Sequence, residues 1–441
     1  MKADCLLICL ICFLVVLTDM FFAHASDSEP LLLDQCIARG LKTNLELKVG
    51  NLMLQESKES VREAWGAFYP TLSFDYNYND LTNDTEEEND NDYLSQRNDN
   101  YSVSLSQPIF SGLSNVAGLQ KARDVREYNN QQIKQLKLKL ILEITSNFYQ
   151  MLQGQLLIDK WEESLTRLKR QEEIAATLVK EKLATKLRRL EVSVEIANAQ
   201  QNLVGARSLF KIAEAKLREL TALDSGEDLK IKGELAGNYI DLFCSLDTYL
   251  DTALAQRPEL DLAALNISIA QNELKEIRGR NLPQVNLKAT WIDYTRNYNK
   301  DFLDSDKRDY YALSLNFSMR PFQGGKNLFA YRRQVLKIER LETELKRQKN
   351  AIITEVRTEF ERVKSAMTQI NSAKKELEEA REVFEFAEHA TTLEITSLDV
   401  LLDAELRLTR AAINHINSLN NLCQAEIAFQ YSIGEGMMNA E

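Results

Sequence analysis

Thr71-Leu-Ser-Phe-Asp-Tyr-Asn-Tyr78 and Gln284-Val-Asn-Leu-Lys-Ala-Thr-Trp291 start 213 residues apart, and each follows directly on a proline, Pro70 or Pro283. Both alternate without a break. Leu72, Phe74, Tyr76 and Tyr78 are set against Thr71, Ser73, Asp75 and Asn77, and Val285, Leu287, Ala289 and Trp291 against Asn286, Lys288 and Thr290. A period of two describes a β-strand with one apolar and one polar face. A proline at the entrance is tolerated because no ladder donor is needed there. Each strand is followed by another of the same kind. Tyr101-Ser-Val-Ser-Leu105, containing Val103, aligns with Tyr311-Ala-Leu-Ser-Leu315, containing Leu313, and Pro108 and Pro321 close the pair. The expected strands cover residues 71–80, 100–108, 284–294 and 310–320.

Outward from the strands the likeness continues. Leu41-Lys-Thr-Asn-Leu-Glu-Leu47 aligns with Leu254-Ala-Gln-Arg-Pro-Glu-Leu260, and Phe110-Ser-Gly112 with Phe322-Gln-Gly324. The chain is therefore a duplication of one unit, helix–strand–strand–long helix–helix. The first copy is placed at 26–221, the second at 246–441, with 222–245 joining them. No proline stands between Pro108 and Pro258 or after Pro321, and both stretches are rich in good helix formers. Long helices are expected at 113–178 and 326–391, and shorter ones at 185–221 and 397–432. At 1.5 Å per residue each long helix measures roughly 100 Å, matching a returning helix plus an N-terminal helix (Leu33 to Trp65, or Leu246 to Arg278) laid end to end. If the latter helix starts at Leu246, Pro258 implies a kink. Helices of this length pack laterally as coiled coils, with neighbours in other subunits.

The strands have the length of tilted transmembrane β-strands, about 9–11 residues. Tyr76, Tyr78, Tyr101, Trp291, Tyr310 and Tyr311 gather towards their ends, as interfacial girdles do. Leu72, Phe74, Val103, Leu105, Leu287, Leu313 and Leu315 are the lipid-facing candidates. Four strands cannot close a barrel and open edges are not tolerated in lipid, so closure requires further subunits. The alternative is a half-buried sheet on a soluble domain, which would need a core partner while the helices are committed to one another. The acidic segment Leu81 to Asp99 and the mixed-charge segment Arg296 to Asp309 read as solvated loops.

Composition narrows the function. Of 441 residues, 44% are apolar and 27% charged, which excludes wholesale disorder. A mean hydropathy of −0.34 excludes a polytopic helical membrane protein. A net charge of −12 argues against nucleic acid as a partner. Residues 1–25, with Lys2, an apolar run from Leu6 to Leu17 and Ala23-His24-Ala25, read as a secretory signal peptide cleaved before Ser26. Cys36, Cys244 and Cys423 then remain, an odd number without ligand spacing, and buried thiols fit them better than a disulfide. His389 and His415 are too far apart for a local metal motif, and no phosphate loop or nucleophile elbow stands in a suitable context. No catalytic residue, cofactor or metal site is expected, and the chain reads as no enzyme.

The signal peptide, the duplicated unit and the proline-bounded strands ending in Pro108-Ile-Phe-Ser-Gly112 and Pro321-Phe-Gln-Gly-Gly325 resemble the TolC-like outer-membrane efflux and secretion proteins. Thr396-Ser-Leu-Asp-Val-Leu-Leu-Asp-Ala-Glu405 is similar to the family's segment after its periplasmic hairpin turn. The resemblance implies a mainly α fold with β, built as a homotrimer. Its 12-stranded outer-membrane β-barrel would be continued by a long α-helical periplasmic barrel. It also implies a periplasmic adaptor and an inner-membrane pump, of RND or ABC type, as partners in efflux or type I secretion. At the helical tips the sequence departs from the family. Lys182 and Leu393 occupy the places of the usual glycines, and Arg188 that of an acid, while Asp399 is kept and Asp403 matches only with a gap. The resemblance carries a gate or selectivity role to Asp399 and Asp403, and Arg188, which departs from the family at the equivalent position of the first copy, is placed to supply their cation; a solvated outer face is the plainer reading. A periplasmic coiled-coil adaptor with a soluble β-domain is the alternative to a channel.

Overall fold

A computed structural model describes residues 30–81, 96–183, 185–223, 229–235, 245–297, 305–393, 395 and 397–435. The signal peptide, Cys244, most of the two strand-connecting loops and much of the 222–245 segment lie outside the described residues. The elements run α1 (Leu33–Thr43), α2 (Leu45–Gly66), β1 (Thr71–Leu81), β2 (Gln96–Ser111), α3 (Ser114–Lys180), α4 (Lys186–Thr221), α5 (Leu246–Gln256), α6 (Pro258–Gly279), β3 (Gln284–Asn297), β4 (Ser305–Ser318), α7 (Lys326–Thr392) and α8 (Leu398–Ile433). The unit is thus seen twice in the same order. The compact units of the chain do not follow the copies, since each draws segments from both. One comprises 1–44, 143–238 and 367–424, the other 45–142, 239–366 and 425–441.

The single N-terminal helix expected in each copy is broken at matching positions. In the first copy the break is Asn44, whose backbone leaves helical geometry at ψ 129. Its side-chain amide donates to the Leu220 carbonyl, 3.3 Å away at the end of α4. In the second copy the break is Arg257, held out of helical geometry by Pro258, which then serves as the first helical residue of α6. The Arg257 guanidinium donates to the carbonyls of Tyr431 and Ser432 at 3.1 and 3.2 Å, at the end of α8. Both breaks cap the C-terminus of a returning helix, whose last carbonyls have no partner within the helix.

The four strands form one antiparallel sheet in the order β1-β2-β3-β4. β2 against β3 joins the copies, and β1 and β4 are edges. Its register aligns apolar with apolar across every pairing: Leu72 with Leu105, Phe74 with Val103, Val103 with Trp291, Ala289 with Leu313 and Leu287 with Leu315. Three details differ from the sequence reading. β2 and the second hairpin run further than expected, because β2 is paired on both sides and β3 with β4 to Asn297 and Ser305. Pro108 does not end β2; it sits inside the strand beside a register shift, beyond the point where β1 begins at Thr71 opposite Ser106, so its missing N–H faces no partner. Finally, Thr71 opposes Ser106 while Gln284 opposes Ser318, so the structural counterpart of Tyr101 is Leu313 rather than Tyr311. A shift of two leaves every side chain on its face.

Behind the sheet the backbones of the copies touch. Gly112, at φ 61 in the turn into α3, and Gly279, at the end of α6, approach so closely that a Cβ on either would stand 2.3 or 2.5 Å from the other's carbonyl oxygen. Gly279→Ala is expected to lower stability by about 1–3 kcal/mol through forced backbone movement, read as a reduced denaturant midpoint of the purified protein. Elsewhere the segment entering α1 and the linker are tied by a parallel bridge between Leu31 and Ile231, with Leu229 and Leu235 buried. Cys36 and Cys423 are both buried thiols, and burial pushes Cys36 up to about 11, partly offset by Arg39.

Candidate functional site

The sheet is inverted relative to a soluble half-buried one. Leu72, Phe74, Tyr76, Leu105, Leu287, Tyr311, Leu313, Leu315 and Phe317 are all exposed, Leu72 to 73% and Leu315 to 68%, and Val103 is half-buried. Together they make one continuous apolar surface, with Tyr76 stacked on Tyr101 at a ring distance of 4.7 Å. On the opposite face Ser104, 2% exposed, meets the Thr290 hydroxyl at 3.2 Å. So far as that sheet has an inside, it is polar. No helix among the described residues is long and apolar enough to cross a membrane. An exposed apolar face this extensive needs a non-aqueous neighbour.

The second candidate region is at the two helical turns. The first is closed by Lys182, which takes the left-handed conformation (φ 62) that glycine favours. Leu183 N–H donates to the Leu178 carbonyl and Lys182 N–H to that of Val179, at 2.8 and 3.1 Å, so the end of α3 is a Schellman motif with lysine at its glycine position. At the second turn Leu393 and Ile395 are exposed, and Ile395 N–H donates to the Ala390 carbonyl. Leu398, Leu401 and Ala404 pack with Ala175 and Ala387, and Leu402 with Leu168 and Val192. That fixes the rotation of α8. Asp399 and Asp403, four apart, lie on its exposed face.

Arg188, at the start of α4, forms an ion pair with Asp399 and also donates to Glu191 at 2.7 Å. Asp403 does not join them, being paired with Arg407 one turn along at 2.8 Å. The sequence reading assigned no role to Glu405. It is 0% exposed, bound by Arg167 at 2.5 Å, by the Ser164 hydroxyl at 3.1 Å and by Thr409 at 3.0 Å. Its place was visible in the pattern, since it continues the buried stripe of Leu398, Leu401 and Leu402. Among the described residues no group of three or more His, Cys, Asp or Glu side chains could hold a metal ion.

The site thus combines a four-stranded sheet with an exposed apolar face and two edges with a pair of duplicated helical hairpins. The chain belongs to the outer membrane efflux protein family, whose model matches residues 37–223 and 249–435, once per copy. Its fold is that of the CmeC outer membrane channel of Campylobacter jejuni (TM-score 0.80, 13% identity, 93% of this chain and 87% of that one). It is shared with the outer membrane protein VceC of Vibrio cholerae (TM-score 0.74, 13% identity, 92% and 96%) and the open-state MtrE outer membrane channel of Neisseria gonorrhoeae (TM-score 0.72, 13% identity, 92% and 89%). No curated protein matches the chain by sequence. The protein is a non-enzymatic transport duct of the outer membrane with a large periplasmic portion.

Proposed function

We propose that the chain is the exit duct of a tripartite efflux system, a homotrimer with the four-stranded sheets of three subunits closed into one barrel. The observation that carries this is the sheet itself: a continuous exposed apolar face, a polar opposite face and two unpaired edges. Such a sheet is stable in a bilayer only when closed. Cargo enters from an inner-membrane pump through a periplasmic adaptor and leaves passively, and efflux rather than polypeptide secretion follows the family's own description. The mature chain begins at Ser26, after removal of the signal peptide. Membrane fractionation with cross-linking in intact cells tests this: a trimer in the outer-membrane fraction together with adaptor supports it, and a soluble periplasmic oligomer contradicts it.

In this reading Asp399, Asp403 and Arg188 form the periplasmic gate. Arg188 and Asp399 are on different helical hairpins, so their ion pair resists separation of the turns. An exposed pair contributes about 0–1 kcal/mol, so three per trimer bias a gate without locking it. Arg188→Asp replaces attraction by repulsion and is expected to raise conductance in planar bilayers several-fold. Asp399→Asn with Asp403→Asn lowers cation selectivity. Unchanged conductance and selectivity in both variants would put these residues on a solvated outer face.

A further inference from the structure

Below the sheet, one face of the helical wall is basic. Lys121 of α3, Arg280 just after α6, and Arg333, Lys337 and Arg340 of α7 line an open groove of about 630 Å³, together with the carboxylates of Glu273 and Glu276. Both acids are engaged, Glu273 by Lys337 at 2.6 Å and Glu276 by Lys121 at 3.1 Å. Arg280 and Arg333 are exposed and carry no ion pair among the described residues, and Arg340 shares Glu344 with Arg347. Two guanidinium groups are therefore left without a counter-charge, and a third is only partly neutralised.

The internal repeat shows that packing does not require these charges. A corresponding groove of about 640 Å³ lies between α2 and α3 of the first copy. Counting from Pro283 on Pro70, Arg280 falls on Ala67; counting from Phe322 on Phe110, Lys337 falls on Val125 and Arg340 on Tyr128. Two cations and two carboxylates line the groove of the first copy, against five and two in the second. The volumes are nearly equal while the charge differs, so Arg280 and Arg340 neither fill the space nor fasten the helices around it.

The basic groove opens on the side of the sheet's polar face. With the Pro70 and Pro283 ends of the strands down and the polar face forward, β2 descends and β3 rises. A forward-facing L-residue turns its carbonyl left in a descending strand and right in a rising one. Ser106 of β2 offers its carbonyl to the Thr71 hydroxyl of β1, and Lys288 of β3 offers its own to Ser314 of β4. The strands therefore run β1 to β4 from left to right. The helices keep that order, since α3 is bonded to α2 through Asn129 and Met53 and to α6 through Asp124 and Ser268, and α6 to α7 through Glu273 and Lys337. In a descending right-handed helix with these neighbours, Asp124 faces right, Lys121 and Gly118 forward and Asn115 left, which puts Arg123 behind. Asn115 does bond to the Ala67 carbonyl on the α2 side, and Arg123 does stand over the Trp65 ring, away from the groove.

We propose that this groove is an oxyanion site on the lumen wall, which holds carboxylate or phosphate groups of cargo passing through the duct. The placement rests on the closed-barrel reading, in which the polar side of the sheet is the lumen. The planar fork of arginine matches either oxyanion with paired hydrogen bonds. Three subunits set three such grooves around one lumen, whose low-dielectric walls focus their combined field.

The probe is citrate, with the full-length protein in detergent for calorimetry and in planar bilayers for current. Both are run at about 0.1 M salt, where charges act over about 10 Å. Wild-type protein should bind citrate, and citrate should block its current over the same concentration range. Arg280→Ala with Arg340→Tyr, the residues found in the first copy, should weaken binding and block at least about tenfold. Arg278→Ala is the control, because Arg278 bonds to the Tyr331 hydroxyl on the opposite face, and it should leave both unchanged. No binding by the wild type, or binding that the double variant keeps, overturns the site and leaves the duct reading in place. Binding lost in the double variant, with a current indifferent to citrate throughout, overturns the lumen placement. A folded, citrate-binding protein that conducts in no variant, Arg188→Asp included, overturns the duct reading on which the placement rests.

Discussion

Leu105→Arg and Leu315→Arg are each expected to remove assembled protein from the outer membrane. Both side chains project from the exposed apolar face, Leu105 opposite Leu72 and Leu315 opposite Leu287. An arginine at the bilayer midplane costs roughly 2–4 kcal/mol and falls to about 0–1 near the interfaces. In the proposed trimer every subunit carries the change, so the penalty enters three times per assembly. The control belongs on the polar face at an exposed position. Asn316→Arg, next to Leu315 but on the opposite side, should assemble normally and change permeation only. Ser104 is unsuitable for this purpose, because it is buried against Thr290 and an arginine there would fail for lack of space. The readout is heat-modifiable trimer in isolated outer membranes. Equal losses from Leu315→Arg and Asn316→Arg would mean that the sheet is buried on both sides by protein.

The second large effect is expected at Arg257→Leu. Arg257 is 6% exposed and has each of its three guanidinium nitrogens engaged: by Glu259 at 3.0 Å, Glu355 at 3.1 Å and the two carbonyls ending α8, with its guanidinium 5.0 Å from the Tyr431 ring. Its removal leaves Glu259 nearly buried without its cation and the helix end uncapped, and breaking a buried pair from one side costs about 3–5 kcal/mol. Arg257→Lys keeps the charge but loses the planar fork, and should recover only part of this. The first copy supplies an internal contrast. Asn44 caps the equivalent helix end with one neutral amide at 3.3 Å, so Asn44→Ala should cost only about 1 kcal/mol. Denaturant midpoints of the three variants, followed by helical circular dichroism, are predicted to fall in that order.

The contrast between Asn44 and Arg257 also shows where sequence reading reaches its limit. Pro258 announces a break because its chemistry is local: it has no N–H and restricts the residue before it. Asn44 announces none, because its role depends on a carbonyl 176 residues away. The strands were legible for the same reason as Pro258, since a period of two is written in neighbouring residues, and so was the repeat. The direction of exposure does not follow from alternation itself, which describes two faces without saying which one meets protein; in the sequence it rests on strand length, the aromatic ends and the lack of a core partner. Likewise the opposition of Asp399 and Asp403 on α8 follows from spacing alone, whereas the separate partners of the two acids, Arg188 and Arg407, come from tertiary placement. Glu405 is the plainest omission. An acid on an apolar helical stripe is a local sign of a buried ion pair, but only the fold shows that Arg167, Ser164 and Thr409 converge on it.

That the apolar face of the four-stranded sheet meets lipid is the claim on which the rest depends. The most direct measurement is a spin-label scan of single cysteines along β4 and its exit, from Tyr311 to Met319, in protein reconstituted into bilayers. The account predicts a period of two: labels at 311, 313, 315, 317 and 319 are accessible to oxygen and shielded from a water-soluble nickel chelate, and those at 312, 314, 316 and 318 show the reverse. Water accessibility at 313 and 315 equal to that at 314 and 316, or an alternation of opposite phase, would contradict it.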